Sequence, residues 1–266
     1  MVFNVDFVSD LHIESWDTKL HFKHPYGERK NKKFNIKPSS EILIVAGDIS
    51  DNIHLSIKYL NHLSKYYNYI LFVDGNHEHV EIIPKLYSHK QINELFLKNN
   101  NPKLIYLPEN TFIYENTAFV GYCGWWNFNN SDFLKKKDSK SYSSWINNSK
   151  ENDGLVYNNN IQKRSILEFK KINQKINKLE SNKKIKNICI VTHTLPLKRY
   201  GSTNYFAEHN TLMNNIKSKK LTHWFFGHTH STFDEYINDI RYVCNPRGRP
   251  DDFNRENYYK WKINIK

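Results

Sequence analysis

Tyr69-Ile70-Leu71-Phe72-Val73-Asp74-Gly75-Asn76-His77-Glu78 is the stretch on which the reading of this chain turns. Tyr69–Val73 is a short apolar run of strand length, bounded by polar residues. Gly75-Asn76-His77-Glu78 then puts an amide oxygen, an imidazole and a carboxylate at its exit. The pattern recurs upstream. Glu41–Ala46 is a second strand and ends at Gly47-Asp48-Ile49-Ser50-Asp51; Val2–Val8 is a third and ends at Asp10 and His12. Between the second strand and the quoted one, Ile53, Ile57, Leu60 and Leu63 recur at helical spacing and predict a helix over Ile53–Lys65. This alternation implies parallel strands joined by crossover helices. The carboxyl ends of such strands are where open α/β sheets bind ligands.

Downstream, Gln91–Lys98 reads as a helix and Leu104–Leu107, Thr111–Tyr114 and Thr117–Tyr122 as strands, the last two a hairpin through Glu115-Asn116. Apolar residues at 161, 166, 169, 172, 176 and 179 predict an amphipathic helix over Ile161–Leu179. Ile188–Val191 is a strand leading to His193, and Trp224–Phe226 is one leading to Gly227-His228-Thr229-His230. Leu212–Ile216 reads as helical, Ile240–Cys244 as a strand, and Tyr259–Ile265 as an edge strand closing the sheet. Residues 15–40 are polar and basic, with Pro25, Gly27 and Pro38, and are expected to form a long loop. Residues 127–160, rich in Asn, Ser and Lys, are expected to be a surface excursion, a length at which loops are usually lids or disordered. The chain shows no internal repeat. The polar motifs begin at Asp10 and end at His230, so one site drawing on both ends argues for a single domain over residues 1–266.

Gly75-Asn76-His77-Glu78 is the most diagnostic of these motifs, because an amide oxygen is an unusual metal ligand; most of the others are weak by themselves. Asp10-x-His12 suits a loop or cap as well as a cation. Asp51 is a natural N-cap for the helix that follows it. His193 alone would be unremarkable. Asp48, after Gly47, is a candidate to bridge two cations. His228 and His230, one residue apart in an extended segment, point in alternate directions and can serve two cations.

Taken in order, Asp10-Leu11-His12, Gly47-Asp48-Ile49-Ser50-Asp51, Gly75-Asn76-His77-Glu78, His193 and Gly227-His228-Thr229-His230 resemble the calcineurin-like metallophosphoesterase superfamily. The resemblance runs from about residue 5 to about residue 250. It implies a four-layer α-β-β-α sandwich of two mixed sheets flanked by helices. It implies a binuclear metal centre, with Asp10, His12, Asp48 and His230 on one cation and Asp48, Asn76, His193 and His228 on the other. His77 is then the catalytic histidine beside the metals, supported by Asp51, with Glu78 behind them. Mn²⁺ is the first choice of metal, with Fe or Zn²⁺ as alternatives for such mixed oxygen and nitrogen donors. The implied reaction is hydrolysis of a phosphomonoester or phosphodiester by a hydroxide bridging two divalent cations.

The branch is less well marked. The superfamily's protein phosphatases carry an arginine after the Gly-Asp motif and another before Gly-Asn-His-Glu, where this chain has Asn52 and Asp74. Gly121–Phe128 and Cys244-Asn245-Pro246-Arg247-Gly248 look instead like a bacterial and phage group of poorly defined substrate. Arg247 or Arg249 could reach a substrate phosphate, and Trp125 or Trp126 could wall in a base or alkyl group, although turn chemistry and core packing account for these residues equally well.

The chain has 266 residues and a formal charge of +12. A basic surface attracts phosphates and nucleic acid, but the lysines are dispersed and no basic–aromatic stripe is present, so a small phosphoester, a nucleotide-derived one among the candidates, is preferred to nucleic acid as partner. A nuclease, a protein phosphatase and a non-catalytic scaffold are the alternatives. Three cysteines without paired spacing argue against a disulfide framework and suit a reducing compartment. No charged-then-apolar leader precedes the first strand, and no apolar run approaches ~18 residues, so a cytoplasmic protein without signal peptide or membrane span is expected.

Overall fold

In a computed structural model of the chain, residues 2–16, 28–29, 32–35, 37–82, 85–127, 146–148, 155–157, 159–197, 210–252 and 257–265 are described. In chain order the strands are β1 (Phe3–Val8), β2 (Glu28–Arg29), β3 (Lys32–Asn35), β4 (Ile42–Ala46), β5 (Tyr69–Val73), β6 (Leu104–Tyr106), β7 (Phe112–Tyr114), β8 (Thr117–Tyr122), β9 (Ile146–Asn148), β10 (Leu155–Tyr157), β11 (Asn187–Thr192), β12 (Leu221–Phe226), β13 (Phe233–Ile237), β14 (Ile240–Cys244), β15 (Asn257–Tyr259) and β16 (Trp261–Ile265). The α-helices are α1 (Ile53–Leu63), α2 (His89–Leu97) and α3 (Asn159–Ser181).

Two mixed sheets carry the fold. One has the order β16-β1-β4-β5-β6 and the other β13-β14-β12-β11-β8-β7. Strands β1, β4, β5 and β6 run parallel, as do β8, β11, β12 and β14; β16, β13 and β7 are antiparallel additions at the edges. Alternation along each central strand divides three apolar layers. Ile42, Ile44 and Ala46 of β4 face inward with Cys189 and Val191 of β11 and Phe225 of β12, forming the core between the sheets. Leu43 and Val45 face outward onto Ile53, Ile57 and Leu60 of α1 and Ile92 and Phe96 of α2. Ile188 and Ile190 face the other way, onto Ile172, Ile176 and Leu179 of α3. The result is the expected α-β-β-α sandwich. Both faces of the central strands are buried, which is why they read as continuous apolar runs.

Several expectations change in detail. Residues 15–40 are not all loop: β2 and β3 form a small sheet with β15. Their polar residues carry no alternating signal, and the pairing to β15, more than 200 residues away, is tertiary. Tyr259–Ile265 is not one strand: β15 pairs with β3, and β16 pairs with β1. β13 escaped notice because it is an edge strand, Phe-Asp-Glu-Tyr-Ile, whose central residues are exposed. Leu212–Ile216 gives only a 3-10 turn over Thr211–Asn215. Within the excursion at 127–160, β9 and β10 form a two-stranded antiparallel ladder, and Asn159 and Asn160 already belong to α3; residues 128–145, 149–154 and 158 of the expected lid lie outside the described residues. Among the described residues, no helix is long and apolar enough to cross a membrane.

Candidate metal centre

The polar motifs meet because each follows a parallel strand at the same end of its sheet. Backbone hydrogen bonds then stitch the strand exits together. Asp10 N–H donates to Gly47 O (3.1 Å) and His12 N–H to Asp48 O (3.1 Å), which lays the β1 exit along the β4 exit. Gly227 N–H donates to His193 O (2.9 Å), joining β12 to β11. Arg247 N–H donates to Ser9 O (2.9 Å) and Gly248 N–H to Asp10 O (2.8 Å), so the segment after β14 of the second sheet is pinned to β1 of the first.

This convergence bends the backbone. Asp10, His12, Asp48, His228 and His230 have φ of 49°, 41°, 51°, 70° and 48°, all in the left-handed region. Asp and His tolerate that region better than most residues, but each such residue costs about 1–3 kcal/mol. Five strained positions, all of them sequence-selected candidate ligands, mark a place where side-chain direction outweighs local backbone preference. Gly75 has a different constraint: a Cβ there would overlap Asp48 Oδ1. Gly47 combines a φ of 75° with a Cβ position 2.7 Å from both Gly75 N and His193 Nδ1. The close neighbours of these glycines are thus protein atoms.

The candidate ligands fall into two linked groups. Ligand atoms of Asp10, His12 and His230 lie within 4.8 Å of one another, as do those of Asp48, His193 and His228. Asn76 Oδ1 joins the second group, 3.0 Å from His193 Nε2. Asp48 Oδ2 lies between the groups, 3.1 Å from His193 Nε2 and 3.8 Å from His12 Nε2. Partners behind the rings decide which nitrogen faces inward. His193 Nδ1–H donates to Ala46 O (2.8 Å), which turns Nε2 toward Asn76, Asp48 and His228 Nδ1 (3.2 Å). His230 Nδ1–H donates to Asp252 Oδ2 (2.7 Å), leaving Nε2 toward His12 Nε2 (3.1 Å). Such orientation by a carbonyl or carboxylate is typical of metal-ligating histidines. Asp10 Oδ2 and Asp48 Oδ2 are buried and accept no hydrogen bond. Inward-facing imidazole nitrogens packed against one another and against carboxylate oxygens fit divalent cations, which would take the place of protons there. Burial opposes charge on Asp48, but His193, His77 and His12 outweigh it and hold its carboxyl well below the usual range. Burial likewise opposes charge on His193, which Asp48 nevertheless pushes up to about 10.

Glu78 occupies the layer behind. It is buried and accepts from the backbone N–H groups of Gly75 (2.7 Å), Asp48 (3.0 Å), Ile49 (2.7 Å) and Ser50 (3.1 Å), and from Ser56 Oγ (3.0 Å). Burial and Asp48 push this carboxyl up to about 7, against those donors. It clamps the β4 and β5 exits together.

His77 stands beside the groups. Its backbone N–H donates to Asp48 Oδ1 (2.8 Å), and its ring Nδ1 pairs with Asp51 Oδ1 (2.6 Å). Burial disfavours its charged form, but Asp48 and Asp51 outweigh that and raise its pKa. Asp51 therefore faces His77, and the helix cap that the sequence offered it belongs to Asn52, whose side chain accepts from Leu55 N–H (2.9 Å). Asn52→Ala should lower stability by about 1 kcal/mol, measured by urea denaturation. An equal loss from Asp51→Ala would reassign the cap.

The structure separates the remaining candidates. Arg247 is 4% exposed and its guanidinium lies 4.0 Å above the Trp16 ring. Trp125 is fully buried between His79 and Trp126 (5.2 Å to each ring), in the core and not on an open wall. Trp126 stacks on the candidate ligand His228 (5.8 Å, 27°). Sequence reading missed Asp252, which carries no motif. It also missed Glu168, a buried carboxylate in the apolar stripe of α3 that pairs with His89 (2.8 Å) and Arg164 (3.0 Å) and accepts from Gly124 N–H (2.7 Å). Glu168 thereby holds the Gly124–Trp126 turn under His228.

The uncharacterized protein L509 of Acanthamoeba polyphaga mimivirus is 28% identical over 282 residues, spanning 96% of this chain and 94% of the relative. Among solved structures, the phosphopantetheinyl hydrolase PptH from Mycobacterium tuberculosis is similar with a TM-score of 0.69 at 16% identity, covering 98% of this chain and 95% of that one. A dimetal phosphatase from Danio rerio is similar with a TM-score of 0.50 at 10% identity, covering 91% and 86%. The family model for calcineurin-like phosphoesterase matches residues 3–232, and the chain belongs to that family of metal-dependent phosphoester hydrolases.

Proposed function

We propose that this chain hydrolyses a small phosphomonoester or phosphodiester, with nucleotide-derived esters the first to test, at a centre of two divalent cations. The observation that carries this reading is Asp48 Oδ2, buried without a hydrogen bond between His193 Nε2 and His12 Nε2. Asp10, His12, Asp48 and His230 would hold one cation and Asp48, Asn76, His193 and His228 the other. Mn²⁺ comes first, ahead of Fe and Zn²⁺. When bound, such a pair supplies water activated at neutral pH and neutralises charge on phosphoryl oxygens. The protein does the rest. Ala46 O and Asp252 keep the lone pairs of His193 and His230 inward. Asp51 holds the His77 ring so that Nε2 can deliver a proton to the departing ester oxygen.

Residues 1–266 are taken as one domain, since β16 returns from the end of the chain to pair with β1. Three buried free thiols suit a cytoplasmic protein.

A metal-supplemented panel tests the function: p-nitrophenyl phosphate, bis-p-nitrophenyl phosphate, cyclic nucleotides, a phosphopantetheinyl ester and single-stranded nucleic acid. The phosphopantetheinyl ester is included because a hydrolase of that name shares the fold. Activity on a small ester that chelation removes and Mn²⁺ restores is expected; inertness throughout with two metals bound would favour a scaffold. The +12 charge motivates a nuclease as second reading. A nucleic-acid groove would give a log–log salt slope near −0.7 per neutralised phosphate for single strands. We expect a shallow dependence of kcat/KM for the best substrate. A thousand-fold drop on an oligonucleotide between low and physiological salt would favour the nuclease.

A further inference from the structure

Arg247 and Arg249 follow the same strand, and the fold uses them differently. Arg247 is spent on Trp16. Arg249 is anchored through its backbone N–H, which donates to Asp252 Oδ2 (2.6 Å), the oxygen that also orients His230. With Arg247 N–H on Ser9 O and Gly248 N–H on Asp10 O, the main chain leading to Arg249 is fixed against the β1 exit. Its side chain then runs to His77, where Nη2 lies 3.4 Å from His77 Nδ1. That nitrogen already gives its proton to Asp51 Oδ1 at 2.6 Å. Two donors face each other, so the contact is no hydrogen bond. Among the described residues, Arg249 Nε is buried and donates to nothing. A guanidinium presents five N–H donors in a planar fork matched to paired anionic oxygens. Here the fork is held beside the proposed proton donor with donors left over.

We infer that Arg249 binds unesterified phosphoryl oxygens of the substrate beside His77 and makes this centre a phosphomonoesterase, an inference that rests on the proposed phosphoesterase reading. The selectivity follows from counting acceptors. A diester has two unesterified oxygens, which a pair of cations would already engage. A monoester has three, and the third suits the fork. A monoester also carries the extra negative charge that a guanidinium favours.

The test compares p-nitrophenyl phosphate and bis-p-nitrophenyl phosphate for the Mn²⁺-loaded wild type, Arg249→Gln and Arg249→Lys. Arg249→Gln should lower kcat/KM for the monoester by about 10²-fold, the equivalent of hydrogen bonds to a charged group, and for the diester by under about tenfold. Arg249→Lys, which keeps the charge and loses the fork, should fall between. Inorganic phosphate, titrated by calorimetry, should bind Arg249→Gln at least about tenfold more weakly, with bound metal unchanged. Guanidinium ion added to Arg249→Ala should restore part of the monoester rate. Equal losses on both esters, or none, would overturn the inference while wild-type activity keeps the phosphoesterase reading. Loss of metal or of folding in both Arg249→Gln and Arg249→Lys would make the residue structural and overturn it too. A wild type inert on both esters with two metals bound would remove the underlying reading and this inference with it.

Discussion

Asp48→Asn is expected to remove bound metal and turnover together. The substitution is isosteric, and the amide oxygen can still accept from His77 N–H as Asp48 Oδ1 does at 2.8 Å. What disappears is the negative charge at Oδ2, which faces His193, His12 and His77 at 3.1, 3.8 and 3.9 Å. An amide NH₂ there would point hydrogens where the proposed cations need a lone pair. The contribution at stake is several kcal/mol of transition-state charge stabilisation, so kcat should fall by about 10³ or more. Metal per chain should fall with it. A second readout is independent of catalysis. A ligand present at about 100 times its Kd stabilises the native state by about 2.7 kcal/mol, so Mn²⁺ should raise the melting temperature of the wild type and leave Asp48→Asn nearly unmoved. A variant that keeps two metals and near-normal turnover would remove Asp48 from the bridging role.

The same residue shows why the sequence was legible here. Strands buried on both faces, such as β4 and β5, are written as unbroken apolar runs, and their exits carry the polar motifs. A reader therefore finds both the sheet and the ligands from local pattern. Partners supplied by tertiary geometry leave no such trace. Asp252 orients His230 from a turn with no periodicity, and β2 and β3 exist because β15 reaches them. Glu168 was hidden by the opposite effect: it sits at a core-facing position of α3, where the apolar pattern led the reading to Ile166 instead, and Ile166 is 45% exposed. The helix repeat through Ile161, Ser165, Glu168, Ile172, Ile176 and Leu179 is regular only if two polar residues are allowed inside it.

Asp51 and Arg247 show a further limit. Sequence proximity to α1 made Asp51 a cap candidate, yet Asn52, one residue later, has the extended backbone (φ −121°, ψ 116°) and the side-chain contact of a cap. Arg247 and Arg249 are two residues apart after β14, with Gly248 at φ 73° between them. That single turn separates a cation stacked on Trp16 from one beside His77. Residue type and spacing do not specify which way such a turn throws a side chain. The left-handed φ values at Asp10, His12, Asp48, His228 and His230 were equally unreadable, because they arise where three chain segments turn their side chains inward at one place.

His77→Ala should separate chemistry from metal binding. His77 Nε2 is 3.9 Å from Asp48 Oδ2, and its other ring nitrogen is occupied by Asp51 at 2.6 Å. The proposed assignment uses the ring for proton delivery and leaves all the metal ligands in place, so metal content should stay near that of the wild type. The backbone N–H bond to Asp48 Oδ1 is also kept, because it does not involve the side chain. Turnover should fall by roughly 10²–10⁴, the range for a positioned acid–base group. Leaving-group dependence then identifies the role. A p-nitrophenolate departs without much help, whereas an alkoxide needs its proton in the transition state. The loss should therefore be larger for an alkyl phosphate than for p-nitrophenyl phosphate. Asp51→Asn should show the same ordering in milder form, since it weakens the carboxylate support that raises the His77 pKa without deleting the ring. Equal losses on the two esters would mean that His77 only binds phosphate, and a loss of metal alongside turnover would place it among the ligands.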